Sequence, residues 1–143
     1  MKRFIRDREA FARWMARYDL PVITPDEAGR RVARLAREHD LVLFEYVKTD
    51  MAGHTGEAEW AASVAGEVML FLRTLLAEID PSRDTLLIGS DHGNCEDLAV
   101  KTHTTNPVPA VAVGPLAGPL LDGAAAITDL VPNLLAALAK NAP

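Results

Sequence analysis

The chain has 143 residues, 49% hydrophobic and 24% charged, with a net charge of −5, a composition that fits one globular domain with a real core and excludes a disordered or fibrous chain. Residues 1–40 hold 10 of the 15 Lys and Arg against 7 of the 20 acids, leaving 5 basic and 13 acidic residues on 41–143; that acidic body argues against nucleic acid as the main partner and suits cations. The single cysteine, Cys95, excludes an internal disulfide framework. The longest apolar runs are broken by Gly, Pro or charge before membrane length. Arg6-Asp7-Arg8-Glu9 stands where a signal peptide would carry its apolar core, so a cytoplasmic location is expected.

In chain order, Phe11, Trp14, Met15 and Tyr18 at helical spacing predict a helix over 6–18, closed by Pro21. Residues 1–20 are therefore read as an N-terminal helical segment, its basic residues forming a solvated face, and residues 21–143 as the main domain. Thr24-Pro25-Asp26-Glu27 is a helix start, with a Thr cap, Pro at the first helical position and Glu three residues after the cap. Val32, Leu35 and Ala36 supply that helix with an inner face, and it runs to about His39, whose imidazole suits the free carbonyls of a helix end.

Leu41–Val47 reads as a strand from its β-branched and aromatic content, followed by a loop punctuated by Gly53 and Gly56. From Glu57 to Ile79, apolar residues recur every three or four positions, the clearest amphipathic helix in the chain; Trp60 and Phe71 belong to its core face, and Pro81 ends it. Thr85–Gly89 is a second strand, short and apolar. Strand, helix, strand implies a right-handed parallel crossover. A third strand is expected at Val108–Val113, and no helical pattern precedes it, so it returns antiparallel. A Gly/Pro-rich stretch, Gly114–Gly123, leads to a last helix over Asp129–Lys140 capped by Thr128. The fold class is α/β, a mostly parallel sheet flanked by helices with one antiparallel strand.

Asp50 and His54 follow the first strand, Asp91 and His92 follow the second, and His103 precedes the third. Parallel neighbouring strands would deliver all five to the carboxyl edge of the sheet, where open α/β sheets bind ligands. Carboxylates and imidazoles in near-equal number suit Zn²⁺ or Mn²⁺ better than Ca²⁺. Asp50 and His54, four apart, reach one ion from an extended loop or a helical turn. Asp91 and His92 share an ion only on a sharply bent loop, which Gly93 permits. Each motif taken alone is weak, since an Asp-His pair is usually a solvated loop; their shared edge gives the pattern its force. Cys95 reads as a partly exposed small residue, because nothing marks a base beside it.

Thr49-Asp50-Met51-Ala52-Gly53-His54-Thr55-Gly56 resembles the Asp-Met-x-Gly-His-Thr-Gly motif of cofactor-independent phosphoglycerate mutase. Ser90-Asp91-His92-Gly93-Asn94 resembles that family's Asp-His-Gly-Asn motif, and His103-Thr104-Thr105-Asn106-Pro107-Val108-Pro109 its His-Thr-Thr-Asn-x-Val-Pro stretch. Residues 127–138 resemble the closing helix of the wider alkaline phosphatase superfamily, and the similarity spans roughly 18–139. The resemblance implies that Asp50, His54 and His103 hold one divalent ion and that Asp91 and His92 belong to a second, the ions being Mn²⁺ or Zn²⁺, sometimes with Mg²⁺. It implies a partial alkaline phosphatase-like domain. The family's upstream strand Asp, its Ser or Thr nucleophile and its inserted substrate-gripping domain have no counterpart here, and Ser90 is not in the nucleophile's place.

These residues are accordingly expected to form the C-terminal portion of a two-metal phosphomutase or phosphatase: a fragment, one half of a split gene product or a natural truncation. Such a portion is inactive alone and acts on a phosphorylated small molecule once a complementing N-terminal half is present. Two other readings stand beside this one. The first is a non-enzymatic metal-binding or self-assembling domain, pairing as a homodimer through an open strand edge. The second is a single-metal hydrolase using Asp50, His54 and His103 with a bound water.

Overall fold

Thr24 opens the first complete helix. Its side chain accepts a bond from the Glu27 amide at 3.4 Å, Pro25 takes the first turn, and α1 spans Pro25–Glu38 with His39 as its extended C-cap. Arg30 and Arg31 reach back four residues to Asp26 and Glu27, the orientation that supports a helix. The structure is a computed structural model that describes residues 12–141 except Trp14 and Leu20. Most of the helix expected over 6–18 lies outside the described residues, though 12, 13, 15 and 16 are helical.

The described residues fall into two units, one formed by the chain up to Glu78 with Asn94–Thr104, the other by Ile79–Gly93 with the chain from Thr105 onward. In the first unit, α2 spans Lys48–Thr55 and α3 spans Ala58–Glu78. α1 packs on α3 through Gly29 and Ala33. A Cβ on Gly29 would stand 2.8 Å from the Phe71 carbonyl oxygen, so the missing side chain lets the two backbones touch. The inner face of α1 is therefore centred on Gly29 and Ala33; of the residues expected there, Val32 and Ala36 are half-buried and Leu35 is exposed. Val64, Phe71 and Leu75 are the buried face of α3, with Phe71 stacked on Phe44 at 4.9 Å between ring centres. α3 is long and apolar enough, by length and composition, to cross a membrane; its apolar run is broken by Glu59, Gly66, Glu67 and Arg73, the kind of interruption expected from the sequence.

In the second unit, β1 (Leu86–Gly89) pairs antiparallel with β2 (Ala110–Val113), from Leu86 opposite Val113 to Gly89 opposite Ala110. The antiparallel return expected of the third strand is therefore present. The expected parallel sheet is not formed among the described residues. Leu41–Tyr46 joins no ladder, and Leu43 is 94% exposed. A strand of this composition needs hydrogen-bonding neighbours on its edges, and this segment has none among the described residues.

The Gly/Pro-rich stretch before the last helix contains a short helix, α4 (Ala117–Leu121). It is launched by Thr85, whose hydroxyl accepts from the Leu116 amide at 3.0 Å, and by Gly114 at φ 117°, where a Cβ would meet the Asp84 carbonyl oxygen at 2.2 Å. α5 runs Ile127–Asn141 and starts before the expected Thr128 cap. The Asp129 carboxylate does the capping instead, accepting from the Ala125 and Ala126 amides at 2.9 Å, and these bonds hold its carboxyl below the ordinary range. Asn133 ties α5 to α4 by donating to the Leu120 and Asp122 carbonyl oxygens.

Candidate metal centre

α2 is the platform of the site. Met51, Ala52 and Gly53 on its inner side are buried, which points Asp50 and His54, one turn apart, the other way. The expected loop is thus a helix, and the four-residue spacing places both side chains on one face. The helix is pinned at both ends. At its start, Lys48 Nζ lies 2.6 Å from Glu67 on α3, and the Tyr46 hydroxyl donates to the same carboxylate at 3.0 Å. Burial, with the bond to Glu67 and its charge, raises the Tyr46 pKa above the usual tyrosine range. At its end, Gly56 adopts φ 67° and returns its amide to Ala52 and Gly53, while Lys101 Nζ donates to the Thr55 carbonyl oxygen at 2.8 Å. A cation at a helix C-terminus is favourably placed.

His103 arrives on the 94–104 segment, which is folded against α2. Its Nε2 lies 3.4 Å from Asp50 Oδ1, and His54 Nε2 lies 3.4 Å from the same oxygen. The two rings stand 5.1 Å apart, tilted by 38°. His54 Nδ1 is 3.0 Å from the Lys101 carbonyl oxygen. A carbonyl only accepts, so Nδ1 is the donor in this pair, and the ring is held with Nε2 turned toward Asp50. Two donors each about 2.0–2.1 Å from a tetrahedral ion stand roughly 3.3 Å from one another. The donor types suit a divalent ion, and each imidazole Nε2 stands at about that separation from the Asp50 oxygen.

Sequence reasoning assigned no role to three residues that hold this arrangement. Asn94, 5% exposed, donates from Nδ2 to both the Asp50 carboxylate and the Asp50 carbonyl oxygen. A Cβ on Gly53 would sit 2.0 Å from Asn94 Oδ1, so the glycine exists to admit the amide. Glu96 closes the segment on itself, accepting from the Asn94 amide at 2.6 Å and from the Thr104 hydroxyl beside His103. Lys101 works from both ends, its ammonium on the α2 terminus and its carbonyl on His54. Asn94 stood inside a quoted motif and was findable there; Glu96 and Lys101 carried no local signal. Cys95 donates to the Thr49 carbonyl oxygen, and burial pushes its thiol up, with the Asp50 and Glu96 charges adding to that, as befits a structural residue.

In the other unit, the loop after β1 carries Asp91 and His92. His92 Nε2 lies 3.2 Å from Asp91 Oδ2, so a bent loop aims two adjacent side chains at one point, with the Asp91 side chain 75% exposed. The Ser90 hydroxyl donates to the His92 carbonyl oxygen at 2.8 Å and so steadies the bend.

Residues 21–131 match the family model described as "Metalloenzyme superfamily". Among curated proteins, the chain is 34% identical over 130 residues to a 2,3-bisphosphoglycerate-independent phosphoglycerate mutase of Cereibacter sphaeroides, covering 85% of this chain and 26% of that protein. It is 37% identical over 131 residues to the protein of the same name from Rhodopseudomonas palustris, covering 85% and 25%. With that of Ruegeria pomeroyi the identity is 31% over 139 residues, covering 90% and 27%. The chain spans about a quarter of the length of these relatives. No solved structure matches it.

Proposed function

The chain belongs to the metalloenzyme superfamily, and we propose on that premise that it is the metal-holding, C-terminal portion of a two-metal phosphoryl-transfer enzyme, a phosphomutase or phosphatase of the phosphoglycerate mutase kind. The observation that carries this is the meeting of two imidazole Nε2 atoms on one Asp50 oxygen, with the His54 ring oriented by the Lys101 carbonyl oxygen at its Nδ1. Asp50, His54 and His103 would hold one ion, and Asp91 and His92 would serve a second, Mn²⁺ or Zn²⁺ with Mg²⁺ as a further occupant. Such ions neutralise charge on phosphoryl oxygens and lower the pKa of a hydroxyl or water for in-line attack.

What these residues contribute is position. Asn94 holds the Asp50 carboxylate, the Lys101 carbonyl orients His54, and Glu96 sets the segment that delivers His103. None of the 143 residues is assigned as the nucleophile, so the phosphoryl acceptor comes from a complementing N-terminal half, and a phosphorylated small molecule is the substrate of the completed cytoplasmic enzyme. The extended Leu41–Tyr46 segment, with Leu43 and Leu41 exposed, favours such completion by an added strand. The same exposure also favours the alternative of a metal-binding, self-assembling domain without catalysis.

Elemental analysis of protein purified without added metal tests the proposal. The expected result is two divalent ions per chain, with His54→Ala and His92→Ala each removing one. A metal-free protein that also fails to take up Mn²⁺ or Zn²⁺ would overturn it. Fast metal-dependent hydrolysis of a phosphate ester by the chain alone would overturn the assignment of the nucleophile to another chain.

A further inference from the structure

We infer that α3 carries an interface for a second copy of this chain, formed by two antiparallel helices crossing at Gly66. The buried side of α3, Val64, Phe71 and Leu75, is committed to its own unit. On the opposite side, Glu59, Ala62, Gly66, Met69, Arg73 and Leu76 are all exposed. Their spacing alternates three and four, the period of a seam between paired helices. A shallow groove of about 580 Å³ runs along Gly66, Met69, Leu70, Leu72, Arg73 and Leu76. A Cβ added at Gly66 would meet nothing within 4 Å, whereas the one on Gly29 is excluded by the helix already packed there. Gly66 thus has the residue type of a close helix crossing without a described partner to cross.

The charges choose the occupant. Glu59 and Arg73 lie seven residues to either side of Gly66. A two-fold axis through Gly66 sets position 59 of one helix opposite position 73 of the other, so each dimer gains two ion pairs from a surface that is complementary only to itself in reverse. The same axis sets Ala62 opposite Leu70 and Ser63 opposite Met69, small against large, as interdigitated packing needs. A lipid bilayer is the other medium for an apolar helix of this length, but it would bury Glu59 and Arg73 unpaired. This interface is separate from the strand edge expected from sequence and does not depend on the metal reading.

Sedimentation velocity of the whole chain over a range of concentrations tests it. The expected result is a monomer–dimer equilibrium. Gly66→Gln, which favours the helix and meets no described atom, should give a monomer with unchanged circular dichroism and metal content. Glu59→Arg and Arg73→Glu alone should each weaken the dimer by about tenfold, since each sets like charges face to face, and the two together should restore it. A monomer at every concentration, a dimer indifferent to Gly66→Gln, or single charge variants that the double variant fails to rescue would each overturn the inference. So would binding to neutral phosphatidylcholine vesicles by a chain that shows no dimer in solution.

Discussion

The α2 cluster and the loop after β1 offer the same two residue types, an aspartate and a histidine, and hold them by different means. Asp50 and His54 sit one turn apart on a helix anchored at both ends, with Asn94 on the carboxylate and a backbone carbonyl on the imidazole. Asp91 and His92 are neighbours on a bend, and the Asp91 side chain stands mostly in solvent. The first pair has its geometry before any ion arrives; the second must still fix an exposed carboxylate, which costs side-chain entropy. Preorganisation of this kind separates a tight site from a loose one even when the donors are alike.

The largest expected effect follows directly. Titrated with Zn²⁺ or Mn²⁺ by calorimetry, the chain should fill a tight site and then a weaker one. His54→Ala should abolish the tight phase and leave the weak one, and His92→Ala should do the reverse. Equal affinities for the two phases would erase the distinction between the regions, whatever their ligands.

Next comes the support beneath the tight site. Asn94→Ala removes both bonds to Asp50 while leaving every proposed ligand in place. Loss of such an orienting partner costs about 10–100-fold in metal affinity, and the weaker phase should not move. If both phases weaken together, Asn94 acts on the stability of the whole chain and not on Asp50. Gly53→Ala attacks the same contact from the other side. Its Cβ would meet Asn94 Oδ1 and Cγ at 2.0 and 2.4 Å, so the amide must shift, at about 1–3 kcal/mol of stability by the usual cost of overpacking. Chemical denaturation should show that loss, accompanied by a weaker tight phase.

How much of this was legible beforehand depended on the range of the interactions involved. α1 was readable to within a residue because its cap, its proline and its first-turn acids are all local. The antiparallel pairing of β1 with β2 was readable because the connection lacks a helix. By contrast, Gly29 gave no sign that α1 would turn its small residues inward, since that depends on the backbone of α3, which lies far along the chain. Leu41–Val47 has every local mark of a strand, yet pairing is a property of neighbours and not of the segment. The carboxylate and imidazoles of the α2 cluster were visible in their motifs, and so was Asn94. Glu96 and Lys101 were not, because a clamp formed by an unremarkable charged side chain exists only once the 94–104 segment has folded back.

The smallest effect concerns the anchor at the start of α2. Tyr46→Phe deletes one hydrogen bond to Glu67 but leaves Lys48 on the same carboxylate, so the loss at neutral pH should be about 1 kcal/mol or less, with the tight metal phase unchanged. Its pH dependence carries the information. The folded chain holds the Tyr46 proton more firmly than an unfolded chain does, because burial and Glu67 both oppose the phenolate. The stabilisation from this proton is therefore complete below the unfolded tyrosine pKa of about 10 and drains away as pH rises past it. Phenylalanine has no proton to lose. The wild type should accordingly lead the variant at neutral pH and surrender that lead above pH of about 10, while the other lysines and tyrosines, common to both chains, cancel. A gap that stays constant to high pH would mean that Tyr46 is not held against Glu67, and that Lys48 alone anchors the start of the helix on which the tight site depends.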